Sequence, residues 1–467
     1  MKFGKGNRIF GQAMSKRASS STRYQRQHGT KSSSAVAVDE PETKARDEAA
    51  ARRRLRHEQG EAIDLQFGYE RLEDKPVDPS LPLVQRRGWL FHMLPTTRVD
   101  QSSGVELAGL DLYFVDQDGE TFKTTILHRP YFYLLTRRED ENLGQLLLRK
   151  FAGTLLDAQL VPMVDLDMPN HLSPDNLTRK VWKLLFDNVS QLMDVRSQLL
   201  DMIKTATAQH DGMTVDNLLL SQNQFSASGG FSSVADSWNN LEQLREYDVP
   251  YNVRVCMDLD IRAGTWYTVT LEYQEGGPPI PHLSDPDMET KGTPRVLAFD
   301  IECSKAPLKF PNPEIDEIYM ISYMVSDGND NSQGYLITSR SIVSEDIPDF
   351  DYTPKPSYPG QFRIFNEQDE KTSIKRFVEE FQKHRPQIVV TYNGDNFDWP
   401  FMMARAKYHG IDFWKELGIS PAGEEEIRGR CCVHLDCFAW VQRDSYLPQG
   451  AQGLKAVTKY KLGYEPV

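Results

Sequence analysis

The sequence predicts an α/β layer fold in its C-terminal part, a mixed sheet with helices, behind an α+β domain and a disordered basic tail. Three observations carry this expectation. The apolar run Val296-Leu-Ala-Phe299 leads into Asp300-Ile-Glu302 and reads as a buried strand ending in two carboxylates. Glu317–Met324 and Gly334–Thr338 follow as two further strands, close enough in sequence for a meander. Ile374, Phe377, Val378 and Phe381 then mark one helical face, ahead of another buried strand at Gln387–Tyr392. A meander followed by helix and strand units is the pattern of an α/β layer fold.

The elements read in order from the N-terminus. Residues 1–62 are polar and Ser-rich, and the first 34 positions hold basic but no acidic residues. A disordered tail is expected there. Its Arg52-Arg53-Arg54-Leu55-Arg56 cluster reads as a nuclear address, a nucleic-acid patch, or a solvated charge run on a short helix from Lys44. Residues 63–285 form the predicted α+β domain. Gly88–Met93 reads as a strand, and the runs Asp111–Val115 and Thr121–Ile126 flank Gln117-Asp-Gly119, a hairpin signal. Pro130–Leu135 is another strand. Helical spacing appears at Leu143, Leu146, Leu147 and Phe151, and again at Leu192, Val195, Leu199 and Ile203. Residues 205–240, rich in Gln, Asn, Ser and Gly, read as an exposed insertion, and Gly276–Pro281 as a domain boundary. Residues 286–467 form the α/β domain. Its helix is expected to start near Asn366 as N-cap and to end at Pro386.

Bulk properties narrow the classes. Hydrophobic content of 39% and charged content of 26% are those of a globular protein. No apolar stretch is long enough for a transmembrane helix, and no secretory signal is expected, because no apolar run follows the basic N-terminal residues. Five cysteines, Cys256, Cys303, Cys431, Cys432 and Cys437, are too few and too unevenly spaced for a disulfide framework. The net charge of −13 hides a basic tail, since residues 1–60 carry +8. The acidic remainder does not look like a strong DNA-binding surface on its own, so any contact with nucleic acid is local and metal-mediated, or its grip comes from elsewhere.

The chemistry-bearing residues sit at two strand ends. In a strand, residues i and i+2 share a face, so Asp300 and Glu302 project together. Such a pair repels itself unless a cation lies between, and a hard divalent ion with oxygen ligands suits it. The strand ending at Tyr392 delivers Asn393-Gly-Asp395-Asn-Phe-Asp398-Trp-Pro400 into a helix whose face Phe401, Ala404 and Tyr408 are expected to continue and which Gly410 closes. Asp398 is placed for a helix cap as well as for a site, and Asp395 is a competing acid. Asp300, Glu302 and Asp398 together fit acids converging on two ions, which clamp the attacking and leaving oxygens of a phosphodiester.

These residues resemble the first two exonuclease motifs of the B-family DNA polymerases. Phe299-Asp-Ile-Glu302 with Pro307-Leu-Lys-Phe-Pro311 is similar to the first, and Thr391-Tyr-Asn-Gly-Asp-Asn-Phe-Asp-Trp-Pro-Phe401 to the second. The resemblance covers residues 63–467 and includes Phe67–Arg71, Arg245–Tyr251, Ile342–Ile347, Tyr352–Pro356, Arg443–Pro448, Gly453–Val457 and Lys461–Tyr464. It implies a ribonuclease-H-like 3′–5′ proofreading exonuclease domain behind the family's N-terminal domain. Asp300, Glu302 and Asp398 would hold two Mg²⁺ ions, and Asn393 and Phe397 would contact the single-stranded primer 3′ end. It further implies a replicative, nuclear DNA polymerase in the full-length protein, using nucleotides, active in replication and repair with accessory subunits and without a membrane. A zinc or iron–sulfur cluster belongs to C-terminal regions of the family, and none is expected in this chain. Cys303-Ser304 and Asn396 depart from the motifs without removing a ligand. The family's third motif, Tyr-x-x-x-Asp, follows a Leu-Gly-Tyr-like segment, and this sequence ends shortly after Leu462-Gly-Tyr464. The chain alone is therefore expected to be a weak or inactive exonuclease without polymerase activity.

Four other readings stand beside this one. A stand-alone exonuclease would need a fourth acid in a Tyr-x-x-x-Asp frame, offered by Tyr323–Asp327 and Tyr408–Asp412. A replication scaffold would need none of the acids. Cys431-Cys432-Val-His434-Leu-Asp-Cys437 holds metal-capable residues, with core packing as the alternative and no second pair at zinc-finger spacing. Trp89, Trp266, Phe397 and Trp399 either pack in the core or stack on bases.

Overall fold

Helix-forming Ala, Glu and Arg dominate the segment ahead of the first strands, and they build helix α1 over Glu40–Gln66. The structure, a computed structural model, describes residues 40–74, 84–100, 103–164, 178–211, 234–273, 279–328, 331–339, 362–423, 426–444, 446–447 and 451–463. It forms two compact units, Met1–Arg54 and Leu55–Val467. The helix corrects the expectation of disorder through residue 62 for residues 40–62, and residues 1–39 lie outside the described residues. Polar composition misled there because the last turns of α1 bury acids, Asp64 above all, against partner cations.

Strands β1 (Val84–Val99), β2 (Glu106–Val115) and β3 (Thr121–Leu127) form a meander. The β2–β3 hairpin turns at Gly119, φ +81°, and the Asp116 carboxylate accepts from the Asp118 and Glu120 amides. Next come β4 (Tyr131–Thr136), α2 (Leu143–Lys150), β5 (Asp157–Val164), β6 (Thr178–Leu185) and α3 (Val189–Asp211). Then α4 (Val234–Asn239), β7 (Leu241–Arg245), α5 (Tyr251–Leu259), β8 (Thr265–Glu272) and β9 (Ile280–Asp287) complete two sheets, ordered β3-β2-β1-β8-β9 and β5-β6-β4-β7. Helices α3 and α4 occupy the two ends of the expected insertion; the middle of it, with Ser226–Gly230, lies outside the described residues. The expected boundary at Gly276–Pro281 overlaps β9, which pairs antiparallel with β8.

The third sheet carries the acids. It comprises β10 (Val296–Cys303), β11 (Ile318–Ser326), β12 (Ser332–Ser339), β13 (Phe362–Glu367) and β14 (Ile388–Thr391), with helix α6 (Glu370–His384) before β14. Helices α7 (Asp398–Tyr408) and α8 (Phe413–Leu417), the small pair β15 (Ile419–Pro421) and β16 (Ile427–Gly429), β17 (Val433–Asp436) and α9 (Cys437–Asp444) follow. The order is β13-β12-β11-β10-β14-β17, a mixed sheet with helices as expected. Helix α6 is capped by Asp369 in a capping box with Thr372, not by Asn366, which sits on β13. Asn366 is taken up by the parallel pairing of β13 with β12, and its side chain accepts from Thr338. Ile374, Phe377, Val378 and Phe381 are buried as the period requires.

A buried ion network joins α1 to the third-sheet region. The Asp64 carboxylate meets Lys123 Nζ at 2.5 Å and the Arg430 guanidinium at 2.7 and 2.8 Å. Arg71 pairs with Asp111 and Glu61, each at 2.8 Å. Burial opposes ionisation of Glu61, but Lys123 and Arg71 outweigh it and hold its carboxyl at about 2. Among the described residues, Glu61, Asp64 and Asp111 are the one acid trio whose oxygens lie within 4.8 Å of one another, and three side-chain cations already hold it. Removing one partner of a buried ion network strands the other charge. Arg430→Leu is expected to cost about 3 kcal/mol in urea unfolding; a loss below about 0.5 kcal/mol would show that Lys123 alone satisfies Asp64.

Candidate active site

Alternation along β10 decides which way the acids face. Leu297, Phe299 and Ile301 point into the core, while Ala298, Asp300 and Glu302 are exposed on the opposite face. This is the shared face expected from the i, i+2 spacing. Antiparallel β11 flanks β10 on one side and parallel β14 on the other. Ala298 pairs with Val390, so the chain leaving β14 emerges at the same sheet edge as Asp300 and Glu302.

The loop after β14 turns tightly enough to bring Asp398 back to that edge. Asn393 adopts φ +67°, and its carbonyl accepts from the Asn396 and Phe397 amides. A Cβ on Gly394 would lie 2.2 Å from Thr391 Oγ1, so the position tolerates only glycine without a shift. From the end of β17, the Asp436 carboxylate accepts from the amides of Asn393 (2.7 Å), Asp395 (3.1 Å) and Phe438 (2.9 Å). Trp399 is fully buried, edge-on to Phe299 with centroids 4.7 Å apart, and seats the first turn of α7.

Asp398 opens α7 without capping it. Phe397 holds the N-cap position and makes no side-chain cap, and the Asp398 carboxylate instead accepts from the Ile301 amide of β10 at 3.2 Å. Only 2% of Asp398 is exposed. Burial first, then the charge of Asp300 and a hydrogen bond shared with it, push the Asp398 carboxyl up to about 7. The pair therefore holds a proton near neutrality, the behaviour of two acids forced together without a counterion. Glu302 stands one pleat further along the same face, about 7 Å from Asp300, and the three acids do not close to within 4.8 Å as a trio. The donor set is all oxygen and one of its members is desolvated, which suits a hard divalent cation.

The remaining residues singled out in the sequence fall elsewhere. Asp395 accepts from the Ile427 amide at 2.9 Å and lies 3.3 Å from His434 Nδ1. Asp412 caps α8, accepting from the Trp414 amide. The Tyr323 hydroxyl donates to buried Glu380. These contacts account for Asp395, Asp412 and Tyr323 structurally. Cys431 and Cys432 are buried in the core, and His434 hydrogen-bonds Thr391 Oγ1 at 2.8 Å. Among the described residues, no cysteine–histidine group reaches metal spacing. Trp266 and Trp399 are core residues and Trp89 packs against the core; Phe397 is partly buried beside Phe401. The face of α7 was misread: Ala404 and Tyr408 are exposed, and Phe401, Met402, Arg405 and Ala406 are buried. Sequence reasoning also missed Asp436 and His434 as supports, and Tyr319, whose hydroxyl is held above its ordinary value by burial and then by the Glu302 charge.

A family model described as DNA polymerase family B, exonuclease domain, matches residues 242–457. The chain is 43% identical over 411 residues to the catalytic polypeptide of DNA polymerase epsilon from Eremothecium gossypii, covering 87% of this chain and 18% of the relative. It is 40% identical over 436 residues to the counterpart from Saccharomyces cerevisiae, with the same coverage. It is 42% identical over 384 residues to the counterpart from Schizosaccharomyces pombe, covering 82% of this chain and 17% of the relative. The chain thus spans less than a fifth of the length of these relatives. A solved family B DNA polymerase from Pyrobaculum calidifontis aligns with a TM-score of 0.52 at 16% identity, over 80% of this chain and 39% of that one, and shares the fold.

The Asp300–Asp398 pair makes stability depend on pH. Between the ordinary Asp value near 4 and the raised value of about 7, the folded chain keeps a proton that the unfolded chain releases. Stability conferred by the protonated pair is full at low pH and falls as pH rises through that window. Asp398→Asn is therefore expected to exceed the parent by about 1–3 kcal/mol at pH 8 in chelator, with the gap vanishing near pH 4. Urea unfolding at pH 4, 6 and 8 checks this, and a gap independent of pH contradicts a shared proton.

Proposed function

The chain belongs to DNA polymerase family B through the exonuclease domain over residues 242–457, and from that premise we propose that Asp300, Glu302 and Asp398 form its 3′–5′ exonuclease site. The observation that carries this reading is the Asp300–Asp398 pair, two carboxyls from different strand ends held together at the cost of a raised pKa. A desolvated acid perturbed by a specific charged partner is a candidate functional group. Two Mg²⁺ ions, when bound, would lower the pKa of the attacking water and neutralise charge on the leaving oxygen.

The chain's own residues set the geometry. Asp300, on a central strand, would present its carboxylate to both ions. Glu302, exposed on the same face, would hold one of them and orient the water. Asp398, fixed by the Ile301 amide, would release its shared proton when it takes the other ion. Asn393 and Phe397, on the loop anchored by Asp436, would border the terminal nucleotide of a single-stranded primer end. We extend the proposal to the setting: the catalytic polypeptide of a nuclear, replicative DNA polymerase, using nucleotides and acting with accessory subunits in replication and repair. The names of the polymerase epsilon relatives support that extension.

The test is Mn²⁺ binding together with Mg²⁺-dependent digestion of a 3′-labelled single-stranded oligonucleotide. Asp300→Ala with Glu302→Ala is expected to weaken Mn²⁺ binding and digestion by at least about a hundredfold, since even outer partners of metal ligands are worth 10–100-fold. Mn²⁺ binding unchanged by the double substitution would defeat the assignment.

A further inference from the structure

A cavity of about 380 Å³ opens at the far end of β10 from the acids. Arg295 immediately precedes β10, so it stands roughly five strand residues, about 17 Å, from Asp300. The walls come from two places: the β2–β3 hairpin supplies Gly119 to Thr121, and the C-terminal end of α6 supplies Lys383, His384 and Arg385.

Three permanent cations, Arg295, Lys383 and Arg385, face this cavity against a single lining carboxylate, Glu120, which is exposed. Among the described residues, neither guanidinium meets a carboxylate. Among the described residues, the Arg295 guanidinium makes only long bonds at 3.4 Å, from Nη1 to the Gly119 carbonyl and from Nε to the Arg385 carbonyl. A guanidinium carries five N–H donors, so most of those on Arg295 remain unspent. Lys383 is balanced outside the cavity by Glu380 at 3.0 Å. The positive field reaches His384: burial first, then Lys383 and Arg295, hold its imidazole below the ordinary value despite neighbouring Glu380. No Phe, Tyr or Trp ring lines the walls, so the cavity lacks the large aromatic platforms on which bases stack best.

We propose that this cavity is a binding site for a multiply charged phosphate group, held by Arg295, Arg385 and Lys383 at the junction of the hairpin and α6. Forked guanidiniums match phosphate oxygens, and a concave pocket of this size takes a compact anion rather than a tract of backbone. The recognised chemistry is the phosphate itself, supplied by free pyrophosphate or by the terminal phosphate of a nucleotide. A bound anion would clamp the hairpin to α6 and raise the stability of the folded chain by mass action. The site is separate from the acids and does not depend on the exonuclease reading.

Calorimetric titration and thermal unfolding of the full chain, in chelator and at constant ionic strength, test the proposal. The probes are pyrophosphate, inorganic phosphate, thymidine 5′-monophosphate, thymidine and an unphosphorylated oligothymidylate. Saturable binding of pyrophosphate with a rise in Tm is expected, and thymidine should not bind. Binding of thymidine 5′-monophosphate as tight as pyrophosphate identifies a nucleotide source; binding of pyrophosphate alone identifies the free anion. Arg385→Gln, an exposed position that carries the test if Arg295→Gln does not fold, is expected to weaken binding about tenfold or more. Arg428→Gln, outside the cavity, should leave it unchanged. Absence of saturable pyrophosphate binding, affinity indifferent to Arg385→Gln and Lys383→Gln, or binding of the oligothymidylate alone would overturn the proposal.

Discussion

Parallel pairing of β10 with β14 puts the carboxyl ends of two strands at one edge of the sheet, and the arrangement of the acids follows from it. Antiparallel pairing would send the chain after Thr391 to the opposite edge, and Asp398 could not reach Asp300. The register is set at the other end of the strands by Gln387, which is fully buried. Its side-chain oxygen accepts from the Arg295 amide at 2.6 Å, while its own amide donates to the Arg295 carbonyl at 2.9 Å. Its carbonyl accepts from the Val433 amide, which extends the lock to β17. A slip of one residue would turn Asp300 and Glu302 into the core and expose Phe299. Three strands are thus aligned by one residue, through its side chain and its backbone, with a functional consequence about five residues away.

The protein buries charge in two contrasting ways. Around Asp64, every carboxylate meets a cation, so burial is offset and the network ties α1 to the sheets. Asp398 meets one backbone amide and a like charge. The first arrangement fixes the scaffold; the second leaves a group that a cation would relieve. That contrast separates a structural acid cluster from a candidate site better than proximity does, because the tighter trio is the structural one.

Legibility in the sequence followed the same division. The strands and the α6 face were readable because apolar period alone determines them. The common face of Asp300 and Glu302 was readable from strand alternation. Asp398 was readable as an acid at a strand end, but its turn toward β10 rather than onto its own helix was not, since Asp is also a favoured cap. The buried face of α7 was misread because Arg405 occupies it, a charged residue that hydrophobic periodicity assigns to solvent. Residues 40–62 were misread for the same reason: Glu61 lies in a segment that looks solvated until Arg71, Lys123 and Arg430 are brought to it. Asp436 and His434 could not be read as supports of the loop, because the loop amides and the hydroxyl they bind lie about forty residues away.

Arg405 also explains how α7 keeps Asp398 in place. Its guanidinium forms a forked pair with Glu370 at 2.8 and 2.5 Å, and His409 meets the same carboxylate at 2.6 Å. Burial opposes the Glu370 charge, but Arg405, His409 and the Ile318 amide hold its carboxyl below the ordinary value. One carboxylate therefore joins the start of α6, the start of β11, and the last turn of α7 with the His409 that follows it. Arg405 Nη1 continues to the Pro313 carbonyl at 3.1 Å, on the segment between β10 and β11. That segment presents Leu308 and Phe310 almost fully to solvent. These exposed apolar side chains lie a few residues beyond Glu302 in the chain. Because Arg405 lies on the helix that Asp398 opens and reaches the segment that carries Leu308 and Phe310, one buried ion pair links α7 to this apolar flank.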